Sequence, residues 1–255
     1  MAKRAGPPSG YDPSAFPPFA VTVDIIVLTI TDAKLQVLLT ERGAAPYVGS
    51  WALPGGFVRV DEGLDEAAAR ELTEETGVRA AKHLEQFGSY GDPGRDPRMR
   101  VVSVAYLAIL PNVGPIAAAT DARNAELVPI GHLLPVRQVL GRHPSRELAF
   151  DHKAILRDAV ERARTKLEST SIATAFLPRE FTLTELRGVY EIVWAEELDP
   201  GNFRRKVLAT PGFVVATGFQ AQPGPEGGKP ADLYKAGTSG LAELDPPLRR
   251  PSRRS

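Results

Sequence analysis

The sequence predicts an α/β protein with two domains, and three observations carry this prediction. Apolar and β-branched runs, such as those within residues 21–41 and 101–110, alternate with helical patterns over the first two thirds of the chain. Near residues 168–172 the long helical pattern ends, and a segment with two helical patterns and a strand pair begins. The length of 255 residues accommodates one large domain, or one domain of about 150 residues and a smaller one, and the change near residues 168–172 favours the second.

The composition excludes several classes of protein. There is no cysteine, so disulfides and thiolate-bound zinc are excluded and a reducing cytoplasm is compatible. No apolar run approaches the roughly 20 residues of a membrane span, and the N-terminus lacks a signal-peptide core. We therefore expect a cytoplasmic protein with no membrane partner. The formal net charge is zero, so any nucleic-acid binding requires a local basic patch.

Element by element, the larger domain is expected at residues 19–168, after a Pro/Gly/Ser-rich flexible arm at residues 1–18. Gly77 supplies the stop signal of its first helix. The expected elements are a hairpin (21–41), a short strand ending in a glycine turn (51–56), a helix (64–77), a buried strand (101–110), a short strand starting near 125 and a long linker helix (147–168).

The smaller domain is expected at residues 172–237. Thr182 and Glu185 have the spacing of a capping box, and Asp199-Pro200 is typical of a helix start. An apolar stripe on the first helix should pack inward, as should Phe203 on the second. The stripe consists of Leu183, Leu186, Tyr190 and Val193. A hairpin with a Gly/Pro-rich tip follows, and residues 238–255 are predicted to be a flexible tail, too polar and Pro-rich to pack.

Three glutamates crowd the end of the helix at 64–77. Successive helical residues are about 100° apart, so Glu71, Glu74 and Glu75 share an arc of roughly 100°. The same arc carries the apolar residues Leu64, Ala67 and Ala68. A solvated acidic face is the ordinary interpretation of such a run. The alternative is a cleft in which a hard divalent cation, Mg²⁺ or Mn²⁺, joins the carboxylates.

The spacing around these glutamates decides between the two interpretations. The run G-x5-E-x7-R-E-L-x-E-E-x-G-V, from Gly56 to Val78, resembles the signature of the Nudix hydrolase superfamily. That resemblance implies an α/β/α sandwich with a mixed sheet that binds nucleoside diphosphates. It also implies that Glu71, Glu74 and Glu75 bind metal. Glu71 and Glu75 would be catalytic, with Arg70 orienting Glu71.

A turn-rich loop presents three arginines before the strand at 101–110. Exposed guanidinium groups suit a diphosphate, although a plain surface loop is also compatible with this pattern. The stretch "GDPGRDPRMRVVSVAY" resembles a branch of the superfamily that recognises ADP-ribose. The candidate ligand-binding residues are Arg42, Gly55, Gly56, Arg95, Arg98 and Arg100. Asp121 and Glu126 are weak candidates for the late catalytic base found in many ADP-ribose hydrolases.

The second helix of the smaller domain is basic. Its arginine and asparagine side chains suit base edges, and lysines suit phosphates. The candidate DNA-binding residues are Asn202, Arg204, Arg205 and Lys206 on the helix, and Lys229 in the hairpin tip. A helical cap that shapes the pocket or a dimer is the alternative interpretation.

Helix, turn, basic helix and hairpin are the order of a winged helix. "FTLTELRGVYE" and "LDPGNFRRKVL", following a Nudix domain, resemble the Nudix-related transcriptional regulators of NAD metabolism. That resemblance implies a homodimer that binds double-stranded operator DNA of NAD biosynthesis or salvage genes. It implies repression that is relieved when ADP-ribose binds. A Mg²⁺-dependent ADP-ribose pyrophosphatase is the alternative function, and the two activities can coexist.

Overall fold

A computed structural model describes residues 8–77, 81–111, 122–134, 146–222, 230–237 and 241–250. In these ranges no helix is both long enough and apolar enough to cross a membrane. The strands of the larger domain are β1 (Ala20–Thr31), β2 (Lys34–Arg42), β3 (Trp51–Ala52), β4 (Gly55–Phe57), β5 (His83–Tyr90), β6 (Val101–Ile109) and β7 (Ala122–Pro129). Its helices are α1 (Leu64–Thr76) and α2 (His152–Ser169).

The seven strands form one mixed sheet, as predicted. The order is β3-β2-β1-β6-β5, with β4 paired to β1 and β7 paired to β2. β1 and β6 are parallel, whereas the other pairs are antiparallel. β5 was not predicted, because its polar and apolar residues do not alternate regularly. Its pairing with β6 gives it a place in the sheet.

The alternation of side chains along β1 sets the two layers of helices. Val23, Ile25 and Val27 belong to the core that contains Ala67, Ala68 and Leu72 of α1. Ile26 and Leu28 point to the opposite face and belong to the core that contains α2. All these strand residues are fully buried, which explains why β1 is continuously apolar. The result is the α/β/α sandwich that the Nudix resemblance implied.

The linker helix begins later than predicted. The pattern suggested a start at residue 147, but α2 starts at His152. Leu148 instead forms a β-bridge with Trp51, and the Ala149 N–H donates to the Trp51 carbonyl at 2.8 Å. Phe150 then adopts a positive φ of 55°, which a helix interior does not allow. The segment before α2 is therefore attached to the sheet edge.

The smaller domain has the predicted winged-helix order. It contains β8 (Phe181–Thr182), α3 (Leu183–Trp194), α4 (Pro200–Ala209), β9 (Val214–Ala221) and β10 (Ala231–Ala236), and its sheet order is β8-β10-β9. The capping box is present, since the Glu185 N–H donates to Thr182 Oγ1 at 3.2 Å and the Thr182 N–H donates to Glu185 at 2.7 Å. The Asp199 carboxylate caps α4 through the Asn202 N–H at 2.7 Å.

The C-terminal segment packs, which corrects the prediction of a flexible tail. Leu244 and Leu248 are each only 5% exposed and join the core that contains α2. Their backbone N–H groups donate to the Ser169 and Glu168 carbonyls, both at 2.8 Å. Two buried leucines and these backbone hydrogen bonds together attach the proline-rich segment to the end of α2. Residues 238–240 and 251–255 lie outside the described ranges.

One apolar core runs from the sheet through α2 into the winged helix. It includes Leu28 of β1, Leu156 of α2 and Tyr190 of α3. The contact between helices is reinforced by reciprocal hydrogen bonds. Arg164 Nε donates to the Val193 carbonyl at 2.9 Å, and Trp194 Nε1 donates to the Arg164 carbonyl at 3.1 Å. α2 is therefore packed against both the sheet of the larger domain and the winged helix.

Candidate functional site

A pocket of about 500 Å³ lies where α1, the glycine turn, the arginine loop and the start of α2 meet. Most of the predicted site residues line it. These are Arg42, Gly55, Gly56, Arg70, Glu71, Glu74, Glu75, Arg95 and Arg98. Sequence analysis did not identify Asp24, Arg59, Phe150 or His152, which also line it. Asp24, Phe150 and His152 come from distant parts of the chain, so local patterns do not reveal them, whereas Arg59 lies within the Gly56–Val78 run at an unspecified position.

The two glycines of the turn permit close contacts that a side chain would block. Gly55 pairs with Asp24 across β1 and β4, and a Cβ there would lie 2.2 Å from the Val23 carbonyl oxygen. A Cβ at Gly56 would lie 2.2 Å from Glu71 Oε1. The glycines therefore let β4 approach β1 and leave space for the Glu71 carboxylate.

Arg70 is the hub of the acidic helix. Its guanidinium donates to Glu62 at 2.6 Å, Glu71 at 2.7 Å and Glu74 at 3.0 Å. The hydrogen bond from Arg70 lowers the pKa of Glu62 from 4.5 to about 2. A single planar cation thus neutralises part of the acidic cluster and orients Glu71, as the Nudix resemblance implied.

The third glutamate of the cluster faces the glycine turn. Glu75 accepts a hydrogen bond from the Gly55 N–H at 3.2 Å and one from Thr40 Oγ1 at 3.5 Å. On α1, Glu71 is buried, whereas the side chain of Glu74 is 43% exposed at the pocket rim. The helix ends as predicted at Gly77, whose φ is +71° and whose N–H donates to the Thr73 carbonyl.

The charges of the pocket are nearly balanced. Five arginines and six carboxylates line it, so a diphosphate can bind only if arginines change partners or a cation is added. The carboxylates of Glu71, Glu74 and Glu75 are the hard oxygen donors that suit Mg²⁺ or Mn²⁺. However, Arg70 holds two of them. Within the ranges that the structure covers, no group of three or more acidic, histidine or cysteine side chains is arranged to hold a metal.

The floor of the pocket is a buried ionic network. Arg95 is bound to Asp151 through two hydrogen bonds of 2.6 and 2.9 Å and to Asp24 at 3.3 Å. Asp24 also accepts a hydrogen bond from Ser103. The Leu53 N–H donates to His152 Nδ1 at 2.9 Å, and burial lowers the pKa of His152. His152 is thus held as the neutral imidazole beside these charges.

Two more arginines form a stack with aromatic rings on the pocket wall. The Arg42 guanidinium lies 4.8 Å from the centre of the Phe150 ring. Arg98 lies 5.1 Å from the Phe57 ring and is bound to Asp96 at 2.7 Å. These planar surfaces are suited to stacking against a flat ligand group.

Arg100 is not part of the pocket lining. Its guanidinium lies over the Phe19 ring at 5.3 Å, at the start of β6. The third arginine of the loop thus stacks on the N-terminal segment, whereas Arg95 and Arg98 line the pocket. Among the late-base candidates, Glu126 is paired with Arg146 at 2.7 Å and also lies outside the lining. Asp121 lies outside the described residues.

The basic helix α4 is oriented as predicted. Phe203 and Val207 are buried, whereas Asn202, Arg204 and Arg205 are exposed. Lys206 is exposed as well. Among the described residues, Arg205 Nη2 donates a hydrogen bond to Asn202 Oδ1 at 2.7 Å. Lys229 of the hairpin tip lies outside the described residues.

Two sequence models of known domains match this chain. The NUDIX domain matches residues 20–157, and the NrtR DNA-binding winged helix domain matches residues 173–236. A curated relative is 34% identical over 227 residues, which are 88% of this chain and 85% of the relative. It is the ADPR responsive transcriptional repressor NtrR of Acinetobacter baylyi. The ADP-ribose pyrophosphatase of Methanocaldococcus jannaschii is 36% identical over 139 residues, which are 54% of this chain and 72% of that protein.

Solved structures agree with this assignment. NrtR of Shewanella oneidensis, in complex with a 27mer DNA, superposes with a TM-score of 0.70 at 30% identity. The match covers 85% of this chain and 93% of that chain. The NUDIX domain of the same protein, in complex with ADP ribose, matches with a TM-score of 0.51 at 33% identity, covering 60% of this chain and 94% of that chain. The chain therefore belongs to the Nudix family and, within it, to the NrtR-type proteins that carry a C-terminal winged-helix domain.

Proposed function

We propose that this protein is an ADP-ribose-responsive transcriptional repressor that binds operator DNA of NAD biosynthesis or salvage genes in the cytoplasm. ADP-ribose in the Nudix pocket weakens DNA binding. The observation that carries the proposal is the exposure of all four polar and basic side chains of α4 in a chain that also holds a nucleotide-sized pocket. These side chains are Asn202, Arg204, Arg205 and Lys206.

The winged helix supports the DNA-binding half of the proposal. α4 is anchored by Phe203 and Val207, so its charged face projects from a rigid core. Arginine and asparagine pair with guanine and adenine edges, and lysine binds phosphate. The Shewanella oneidensis relative in complex with DNA matches 85% of this chain, and the NrtR winged-helix model matches residues 173–236. We infer that the protein acts as a homodimer, because operators read by winged helices commonly consist of two half-sites.

The pocket supports the ligand half. The Acinetobacter baylyi relative is ADPR responsive, and the Shewanella oneidensis NUDIX domain binds ADP ribose. Here, Arg42, Arg95 and Arg98 surround a space of about 500 Å³. If Mg²⁺ or Mn²⁺ binds, Glu71, Glu74 and Glu75 would hold it, and it would supply positive charge to the diphosphate. Arg70 orients Glu71 in either case.

The proposal is tested by DNA-binding measurements with and without ADP-ribose. Labelled duplexes from promoters of NAD-synthesis genes are titrated with the parent protein and with Arg205→Ala/Lys206→Ala. We expect the double variant to bind on the order of 100-fold more weakly and to reduce the salt slope by about one. ADP-ribose should weaken the parent complex.

The control carries the same change of charge at another surface. Lys34→Ala/Arg157→Ala removes two exposed cations far from α4 in sequence, and we expect parental DNA affinity. The proposal is wrong if the parent binds every duplex equally, or if the α4 variant binds as the parent does at all salt concentrations.

A second candidate function is ADP-ribose hydrolysis. The specific observation in its favour is that the acidic helix is intact and Glu75 lies against the glycine turn, at 3.2 Å from the Gly55 N–H. Metal bound in the pocket would polarise the diphosphate, and Glu75 would accept a proton from the attacking water. Glu126 does not line the pocket, so any turnover should be slow.

The test of hydrolysis follows AMP and ribose 5-phosphate with Mg²⁺ or Mn²⁺ present. Slow release by the parent should fall at least 100-fold in Glu75→Gln, in line with the loss of a general base. Glu126→Gln is the matched control and should behave as the parent does. Intact ADP-ribose after prolonged incubation with the parent would leave regulation as the only function.

A further inference from the structure

Arg95 lies in the pocket but its donors are already engaged. Its side chain is 5% exposed, and it lines the cavity together with Asp24. Two of its hydrogen bonds go to Asp151, at 2.6 and 2.9 Å, and a third goes to Asp24 at 3.3 Å. An arginine fork fits a phosphate as well as it fits a carboxylate. A diphosphate in this pocket therefore competes with aspartates for the same guanidinium.

The position of Asp151 at the start of α2 gives its carboxylate a second possible partner, the helix backbone. It is the N-cap residue of α2, where an aspartate carboxylate ordinarily accepts an N–H of the first helical turn. In the described structure its side chain makes no such capping bond, because both carboxylate oxygens face Arg95. Release from Arg95 would let Asp151 cap the helix. The start of α2 would then differ from the described arrangement in the partner of one carboxylate.

α2 connects this position to the winged helix. Its 18 residues span about 27 Å at 1.5 Å per residue. Near its far end, Arg164 exchanges hydrogen bonds with Val193 and Trp194 of α3. The carbonyls of Glu168 and Ser169 hold the C-terminal segment. A change at Asp151 therefore acts on a rod that is packed against the DNA-binding domain.

We propose that Arg95 and Asp151 form an exchange switch that reports the occupancy of the pocket to the winged helix. The inference rests on the proposed function and adds the residues that couple its two halves. Without ligand, the Arg95–Asp151 pair holds α2 in the DNA-binding arrangement. A bound diphosphate takes Arg95, Asp151 moves to cap α2, and the helix shifts against α3. By linkage, DNA binding then weakens ADP-ribose binding by the same factor.

The test replaces Asp151 with asparagine, which caps helices as well as aspartate does but carries no charge to hold Arg95. We expect Asp151→Asn to bind ADP-ribose about tenfold more tightly in titration calorimetry, since one charge-assisted competitor is lost. Its affinity for promoter DNA without ligand should fall about tenfold, and ADP-ribose should change that affinity less than in the parent. Asp158→Asn, also on α2 but bonded to Tyr90, should match the parent in all three measurements.

Amide hydrogen exchange gives an independent measurement on the parent. ADP-ribose should slow exchange in the first turn of α2, because the freed carboxylate caps it. Equal ADP-ribose affinities of the parent and Asp151→Asn, or unchanged exchange at that turn, would overturn the switch. A parent that binds ADP-ribose but not promoter DNA would instead refute the proposed function. The ADP-ribose affinities of the parent and of Asp151→Asn would still decide whether Asp151 competes for Arg95.

Discussion

The acidic helix α1 and the basic helix α4 carry their charges in opposite ways. On α1, Arg70 joins Glu71 and Glu74 with Glu62 of the preceding loop. On α4, the charged side chains face solvent, and no carboxylate among the described residues pairs with Arg204 or Arg205. One helix has its charges fixed by partners within the fold, and the other presents them to an external partner.

The two helices are therefore suited to different kinds of partner. Hydrogen bonds between charged groups in a pocket fix the positions of those groups, which suits a small ligand whose atoms must contact defined groups. Unpaired exposed charges attract a polyanion over a distance of about a Debye length and lose that attraction as salt increases.

The same substitution in the two helices should have very different effects on stability. Arg70→Ala leaves three carboxylates without their shared cation, two of them largely buried. We expect the free energy of unfolding to fall by about 3 kcal/mol. Arg205→Ala removes an exposed side chain and should change it by less than about 0.5 kcal/mol. Urea denaturation of both variants and the parent measures the two effects.

Arg59→Ala is the matched control for the larger effect. Arg59 also contacts Glu74, but at 3.4 Å and with its side chain 58% exposed, so its loss should cost about 0.5 kcal/mol. If Arg70→Ala is as stable as Arg59→Ala, Arg70 is not the hub of the acidic cluster and the contrast between α1 and α4 disappears.

The contrast also explains how much of the molecule could be predicted from sequence. The C-terminal end of α1 and the start of α4 were predicted correctly, because Gly77 and Asp199 each act on the helix beside them. The inward face of α3 was also correct, since its apolar stripe is a local period. Local signals failed at Leu148 and Leu244, which pack against segments far away in the chain.

The site shows the same division. The spacing of the acidic run placed Glu71, Glu74 and Glu75 in one pocket, as the structure has them. The arginine loop could not be resolved in this way, because Arg95 turns inward to Asp151 while Arg100 lies against Phe19. Those contacts depend on the position of α2 and on the N-terminal segment, which no short pattern encodes.

The smallest effect is a pH dependence of the acidic cluster around Arg70, which α4 should not show. The pKa of Glu62 is lowered from 4.5 to about 2 by its hydrogen bond from Arg70. A carboxyl whose pKa is lower in the folded state stabilises the protein fully above pH 4.5, and this contribution is lost as the pH falls toward 2. The unfolding free energy of Glu62→Gln should therefore lie below that of the parent at pH 7. We expect the difference to shrink from pH 4.5 to pH 3 in urea titrations. Arg205→Ala should show a constant difference over the same range, because its guanidinium stays charged. A pH-independent difference for Glu62→Gln would mean that Arg70 does not lower the pKa of Glu62 in the folded protein, and the contrast with α4 would then be wrong.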